Sequence, residues 1–382
     1  MLHLVLSNAC LAAAILGCVY LVMSAILVRR FAAQGKKSVA RPVPVSILKP
    51  LHGVQPRLFE LLSSFCRQAY PAPVEIVCGA ASSNDPAATV TKRIGEAYPA
   101  CKVRFLVSAR SYGSNGKVSN LIALSKQARH DVLVISDCDM EVGPDYLSRI
   151  VGELERPRVG AVSCLYHGIA GPQLWSQLSA LAINMHFLPN VVVALTYGLA
   201  EPCFGSTIAL KRRTLDEIGG FESFADFLAD DYAIGSAVRE RGLKVAIPPL
   251  TIGHHCNERS LRDLFFHEVR WARTVRIIDP VGYAGAFVAH PLPLAMLGIF
   301  SDASAASMLI VAAIICRLFL CFSVEQAFGL PRQRYWLLPV RDLLSFAVFV
   351  WGCFGATVRW KGAEYQVRSD GTLVPNRSGS EP

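Results

Sequence analysis

The sequence predicts an α/β fold, a doubly wound sheet set between transmembrane helices, on three observations. Short, β-branched apolar runs alternate with helical segments at crossover spacing through the middle of the chain. The excess of apolar residues collects in the first thirty and last hundred positions, leaving a more polar middle. One apolar run, Asp131-Val-Leu-Val-Ile135, ends on Ser136-Asp137-Cys138-Asp139. Two carboxylates then stand one residue apart at the carboxyl end of a strand, where open α/β sheets bind ligands. Such a pair can share a divalent cation, and the cation can hold a diphosphate. Taken alone, D-x-D is also what a solvated loop or a helix cap contains.

Composition narrows the class. The 382 residues allow one large domain or two ordinary ones. A hydrophobic share of 52% and a mean hydropathy of +0.37 are too apolar for an ordinary soluble enzyme. The net charge of +9 could serve nucleic acid or a membrane surface. Its basic residues sit beside the apolar segments: Arg29, Arg30, Lys36 and Lys37, then Arg332 and Arg334, then Arg359 and Lys361. No basic helix is interleaved with aromatics, so the bilayer is the expected partner and nucleic acid is not. Of the twelve cysteines, Cys10, Cys18, Cys316, Cys321 and Cys353 lie in apolar stretches, and there is no C-x-x-C. They read as small hydrophobes, the middle domain as reduced and cytoplasmic, and a structural zinc site is not expected.

In chain order, Leu4 to Val28 is long enough to span a bilayer, giving an N-terminal transmembrane helix over residues 1–30. It lacks a basic leader and an A-x-A site, so it reads as retained. The cations after it place the next domain, residues 42–257, in the cytoplasm. Strands are expected at Val43–Leu48, Val74–Cys78, Val103–Val107 and Asp131–Ile135. Helices fall between them, from Phe59, from Pro86 behind a cap at Asn84 or Asp85, and from Ser114-Asn-Gly-Lys117 through Ala128. No Gly-x-Gly-x-x-Gly follows the first strand, which disfavours a dinucleotide site.

After Asp139 come a helix from Pro144, a strand near Gly160 to Cys164 and a long apolar helix from Gln173 to Leu188. Pro202-Cys-Phe-Gly205-Ser-Thr207 leads into the strand Ile208–Leu210; its small residues suit either a ligand's approach or a tight strand entry. Asp226, Asp230 and Asp231 precede a helix, where acids favour the N-terminus electrostatically. In His254-His255-Cys256, adjacent residues of an extended segment face opposite ways, so joint metal ligation is awkward. Residues 258–280 form a basic amphipathic helix suited to a membrane interface. Residues 281–358 form a membrane region of two to three helices. Val281–Phe300 is interrupted by His290, Pro291 and Pro293, Ala303–Phe322 is cleaner, and Trp336–Ala356 could span, re-enter or lie flat. Arg341 and Asp342, near the start of the last, are candidate partners for each other. A basic tail over 359–382 ends in a Ser/Gly/Pro stretch expected to be disordered.

Four features then stand in order: Asp85, Asp137 with Asp139, Asp231, and His267-Glu-Val-Arg270-Trp271. Together they resemble the inverting glycosyltransferases of the GT-A (nucleotide-diphospho-sugar transferase) fold, whose motifs are D, D-x-D, D and (Q/R)-x-x-R-W. The match runs from about Val43 to Thr274. Asn115-Gly-Lys117-Val-Ser-Asn120-Leu and Ala229-Asp-Asp231-Tyr look like ceramide glucosyltransferases. The compact size and Asp139 look more like a bacterial, hopanoid-biosynthesis branch that moves N-acetylglucosamine from UDP-GlcNAc to bacteriohopanetetrol. That branch implies a multi-pass protein of the bacterial inner membrane, its catalytic domain facing the cytoplasm. Two positions depart from the pattern: His267 stands where the family has Gln or Arg, and the ceramide enzymes lack an acid at Asp139.

By resemblance and by chemistry, Asp231 is the catalytic base that deprotonates the acceptor hydroxyl. The resemblance gives Asp137 and Asp139 a Mg2+ or Mn2+ on the diphosphate, Asp85 a contact to uridine, and Lys117 and His267 places in nucleotide-sugar binding. Arg270 would support the departing phosphates, for which a planar, permanently charged guanidinium is suited, and Trp271 would stack near the acceptor. The plainer reading of Arg270-Trp271 is an interfacial anchor. The expected acceptor is a lipid alcohol, hopanoid or ceramide-like. The rivals are a UDP-glucose:ceramide glucosyltransferase, a processive polysaccharide synthase, for which convincing spans are few, and a non-catalytic membrane scaffold.

Overall fold

The computed structural model of the chain describes residues 2–35, 42–108, 110–355, 357–360, 363–367 and 372–375. Lys36, Lys37, Lys361 and the Ser/Gly/Pro end of the tail lie outside the described residues. In order the elements are α1 (Leu2–Ala32), β1 (Val45–Pro50), α2 (Leu58–Cys66), β2 (Val74–Ala80), α3 (Pro86–Ala97), β3 (Lys102–Val107), α4 (Gly116–Gln127) and β4 (Val132–Ile135). Next come β5 (Met140–Glu141), α5 (Tyr146–Leu154), β6 (Val159–Ser163), β7 (Leu165–Ala170), α6 (Leu174–Ala182), a π-helical turn (Ile183–Phe187) and α7 (Leu188–Tyr197). They are followed by β8 (Ile208–Lys211), α8 (Arg212–Glu217), α9 (Asp230–Glu240), β9 (Lys244–Ala246) and β10 (Thr251–Cys256). The last helices are α10 (Leu261–Ile278), α11 (Pro280–Gly285), α12 (Pro291–Leu297), α13 (Ala303–Phe328) and α14 (Leu338–Gly352).

Two compact units share these elements. One is Gly35–Tyr166, Pro202–His255 and Gly371–Pro382; the other is Met1–Gln34, His167–Glu201 and Cys256–Asp370. The segment 167–201, expected inside the 42–257 domain, groups instead with the apolar helices.

The first unit named is built on a seven-stranded sheet of order β3-β2-β1-β4-β8-β6-β9. Its strands alternate faces: Ile47, Ile76 and Val134 pack in one core with Phe65 and Tyr146. Leu48, Val77 and Leu133 pack in another with Leu121 and Ile234. Both faces are covered, as the continuous apolar strands require. β1, β2, β3 and β4 run parallel, but β8 runs antiparallel to β4 and β6. The sheet is therefore mixed, with β1 to β4 parallel and β8 reversed. Ile208 pairs with Ile135, so the chain enters β8 at the carboxyl end of β4 and must run back. An apolar run carries no record of its direction. Strand order reverses between β1 and β4, and the crevice at such a switch point is where this class of sheet binds ligands.

In the other unit, His3–Ala32, Leu174–Tyr197 and Ala303–Phe328 are long and apolar enough to cross a membrane. Pro280–Ala289 and Pro291–Phe300 form a bent pair with a 70° break, the interruption expected at His290, Pro291 and Pro293. The span at Leu174–Tyr197 was not expected, because Asn184, His186 and Asn190 interrupt its apolar run. At 15 residues, α14 is about 22 Å long, short of the roughly 30 Å hydrocarbon layer.

Broken helices leave carbonyls that need donors in an apolar setting. Arg317 of α13 supplies them, donating to Met185 O in the π turn (3.0 Å) and Ala289 O at the bend (2.7 Å). Its Nε pairs with Asp342, which also meets His186 Nε2 at 3.0 Å. Arg341 and Asp342 are thus not each other's partners. Neighbours on a helix point about 100° apart, and Arg341 pairs with Glu268 instead.

Candidate active site

The carboxyl ends of β1, β2 and β4 and the N-terminal turns of α4 and α9 supply one constellation in the sheet-containing unit. Asp85 caps α3: its Oδ1 accepts from Ala87 N–H and its Oδ2 from Gly53 N–H, both at 2.9 Å. The expected cap therefore also ties down the turn that follows β1. Asp137 Oδ1 is 2.7 Å from Lys117 Nζ, which lies 3.6 Å from Asp230 Oδ2. Asn115 holds two helix starts together. Its Oδ1 caps α4, and its Nδ2 donates to Phe227 O and Asp230 Oδ1 just ahead of and within α9. Asp231 Oδ2 accepts from Gly205 N–H and its Oδ1 from Tyr232 N–H, each at 2.8 Å.

Gly205 sits at the centre of this group. A Cβ there would lie 2.8 Å from Lys117 Nζ, 3.3 Å from Asp231 Oδ2 and 3.4 Å from Asp137 Oδ2. At Gly205 the small residue lets the backbone approach these charged side chains closely. Gly205→Ala is expected to lower turnover by about 10–100-fold, the scale of a 1–3 kcal/mol overpacking strain. A fall in steady-state rate under conditions where the variant is fully folded would show it; wild-type rates would mean the space is not used.

The charges are tuned by this packing. Burial opposes the Lys117 ammonium, but Asp137, Asp230 and Asp231 outweigh it and hold the group well above the ordinary lysine range. Burial and the neighbouring Asp230 charge push the Asp231 carboxyl up to about 6, against the pull of Lys117 and the two N–H donors. Asp231 is therefore ionised at neutral pH but basic for a carboxylate, as a general base requires.

Beneath the D-x-D lies Lys49, fully buried in β1 just past Leu48, the expected end of that strand. Its Nζ donates to Asp137 O (2.7 Å) and Ser136 Oγ (3.2 Å) and lies 3.6 Å above the Phe65 ring. Burial pulls this ammonium down to about 8. Cys138, between the two acids, is pushed by burial up to about 12 and stays a thiol.

The two acids fit a divalent cation. Among the described residues Asp139 Oδ1 is buried with no hydrogen-bond partner, and Oδ2 lies 3.8 Å from His254 Nδ1. A hard cation such as Mg2+ takes one or two protein carboxylates and completes its shell with phosphate oxygens and water. Among the described residues no group of three or more metal-ligating side chains converges, so protein ligands would supply only part of that shell. His254 and His255 turn apart: His255 Nε2 pairs with Glu141 Oε2 at 2.6 Å, while His254 packs against Tyr166.

The remaining motif lies in the other unit, on α10. Ser260 caps the helix, accepting from Asp263 N–H. His267 Nδ1 bonds Glu258 Oε1 at 2.9 Å, and the imidazole lies 4.3 Å from the Trp271 ring. Burial raises the Glu258 carboxyl, but hydrogen bonds from His267, its own N–H and Ser179 outweigh it and hold the group low. Sequence reasoning named Lys117 and the acids but missed the site roles of Lys49, Asn115, Asp230 and Glu258. Asn115 and Asp230, both inside the segments quoted for the resemblance, carried a signal; Lys49 and Glu258 carried none.

The model of glycosyl transferase family 21 matches residues 9–373. Ceramide glucosyltransferase 3 of Caenorhabditis elegans is 23% identical over 359 residues, 87% of this chain and 74% of its own length. Ceramide glucosyltransferase 1 of the same organism is 26% identical over 204 residues, 53% of this chain but 43% of the relative. Among solved structures, a mannosyltransferase from Pyrobaculum calidifontis in complex with GDP-Man and Mn2+ aligns with a TM-score of 0.52 at 18% identity. It covers 92% of this chain and 99% of that one. The likeness shows the fold, a GT-A-type mixed α/β sheet.

Proposed function

We propose that this chain, which belongs to glycosyl transferase family 21, transfers a sugar from a UDP-sugar to a lipid alcohol at a membrane surface, with inversion. The observation that carries the reading is the convergence of Asp137, Lys117 and a raised Asp231 on the gap kept open by Gly205. Among the described residues, three helices long and apolar enough to cross a membrane support an acceptor drawn from the bilayer. The basic residues after α1 support a cytoplasmic site, and the bacterial inner membrane is its proposed location.

In this reading Asp231 takes the acceptor hydroxyl proton as that oxygen attacks the anomeric carbon. Its two backbone N–H contacts fix the carboxylate while leaving lone pairs to act. Lys117 keeps positive charge beside the D-x-D before any donor arrives, and Lys49 holds the loop through the Asp137 carbonyl. Asp137 and Asp139 would hold Mg2+ or Mn2+, which supplies Lewis-acid stabilisation to the leaving diphosphate when bound. Asp85 would contact the uridine. His267 and Arg270 would grip the phosphates, and Trp271 would stack near the acceptor.

For substrates we infer GlcNAc from UDP-GlcNAc and bacteriohopanetetrol, which the sequence pattern at Asp139 supports. A second reading, glucose from UDP-glucose to ceramide, is favoured by the similarity to the two ceramide glucosyltransferases of Caenorhabditis elegans. An assay of the full chain in detergent with Mg2+ or Mn2+, crossing both donors with both acceptors, separates them by product mass. A GlcNAc-hopanoid product is expected, and glucosylceramide would select the second reading. No product from any pair, with UDP still bound, would refute the enzyme.

The pH profile follows from Asp231. Its pKa is raised, so the base is lost to protonation as pH falls through about 6. The acid limb of kcat/KM is expected there, well above an ordinary aspartate. Asp230→Asn removes the like charge and should move that limb to lower pH. A limb that does not respond would assign it to another group.

A further inference from the structure

Glu268 lies inside the His267–Trp271 segment yet faces away from Arg270. At 100° per residue the two are 200° apart on α10. Glu268 is buried, and its carboxylate meets Arg341 of α14 fork to fork, Oε1 to Nη1 and Oε2 to Nη2, both at 2.8 Å. Arg341 is fully buried and also donates to Leu178 O of α6 (3.2 Å) and to Ser345 Oγ (3.0 Å). One guanidinium thus joins α10, α6 and α14 within one unit. A buried ion pair is a poor way to gain stability, since apolar residues of equal volume often do as well. What a bidentate pair adds is fixed geometry. A second contact, Glu258 to His267, holds α10 on a face 100° away. Two such contacts on different faces fix a helix against rotation about its own axis.

We infer that Arg341 is a positioning residue for the transfer reaction: through Glu268 it sets the rotation of α10 and hence where Arg270, His267 and Trp271 are presented. The role of those three side chains rests on the glycosyltransferase reading; the lock itself does not. A misplacement of about 1 Å can cost about 100-fold in rate, which sets the effect to look for.

The test compares the full chain in detergent with Glu268→Gln, Arg341→Lys and the exchanged pair Glu268→Arg/Arg341→Glu. Hydrogen exchange of α10 peptides, donor kinetics and the thermal midpoint are read together. Glu268→Gln is expected to raise α10 exchange at least about tenfold, with β1 to β4 unchanged, to lower kcat about 10–100-fold and to raise donor KM, since His267 and Arg270 grip the donor phosphates. Arg341→Lys, which keeps the charge but not the fork, should lose less. The exchanged pair should recover kcat at least about tenfold over Glu268→Gln. Wild-type kcat and α10 exchange in either folded single variant would overturn the inference, as would a kcat loss that tracks only the fraction unfolded. If the wild-type chain transfers no sugar, the functional reading fails on that result alone, while the exchange data still judge the lock.

Discussion

Asp231→Asn is expected to lower kcat by about 10²–10⁴-fold, the usual contribution of a positioned general base, while UDP binding is retained. The amide keeps the side chain's size and can still accept from Gly205 N–H or Tyr232 N–H, so the start of α9 should not move. It cannot take the acceptor's proton. Because Asp230 and Asp231 sit side by side, Asp230→Asn is the necessary control. Asp230 is the buried member, tied to Asn115 Nδ2 and close to Lys117. Its loss should shift the pH profile more than the maximal rate. Equal losses of kcat in both variants would point to a shared electrostatic role and away from a single base.

Chelation of divalent ions is expected to reduce turnover by about 100-fold or more, since Lewis-acid stabilisation of the leaving group is worth several kcal/mol. Mg2+ or Mn2+ should restore it. Asp139→Asn should raise the ion concentration needed for half-maximal rate, because it neutralises the carboxylate with an unpartnered oxygen. Asp137→Asn is predicted to do two things at once, weakening the ion and releasing Lys117 from its 2.7 Å contact. Full turnover in chelator would leave Lys117 as the cation that serves the D-x-D.

Much of this site was legible because its acids follow features that a linear sequence records. The Asp131–Ile135 run identified a buried strand, and the residues just past it had to lie at its carboxyl end. Asp85 preceded a proline and became a cap. α10 was largely legible: amphipathic spacing placed a helix within 258–280, and Ser260 caps its observed start at Leu261. What remained hidden depends on direction and on distant partners. Nothing in Ile208–Lys211 says that it runs against β4, yet that reversal carries Gly205 to the carboxylates. Lys49 lay past Leu48, the expected end of its strand, although β1 extends through Pro50. Arg341 and Asp342 suggested a local pair, while their actual partners are 73 and 25 positions away. The Leu174–Tyr197 helix was recognised only in part because its polar residues serve packing within the unit. Asn184, for example, exchanges hydrogen bonds with the backbone of Gly168.

The central claim is direct displacement assisted by one carboxylate base, and the anomeric configuration of the product tests it most directly. The full chain in detergent would be given an α-linked UDP-sugar and a lipid alcohol, and the glycolipid's anomeric proton read by NMR. A β-linked product is the predicted result. An α-linked product would contradict it and require a covalent or internally assisted path in which Asp231 is not the general base assigned here.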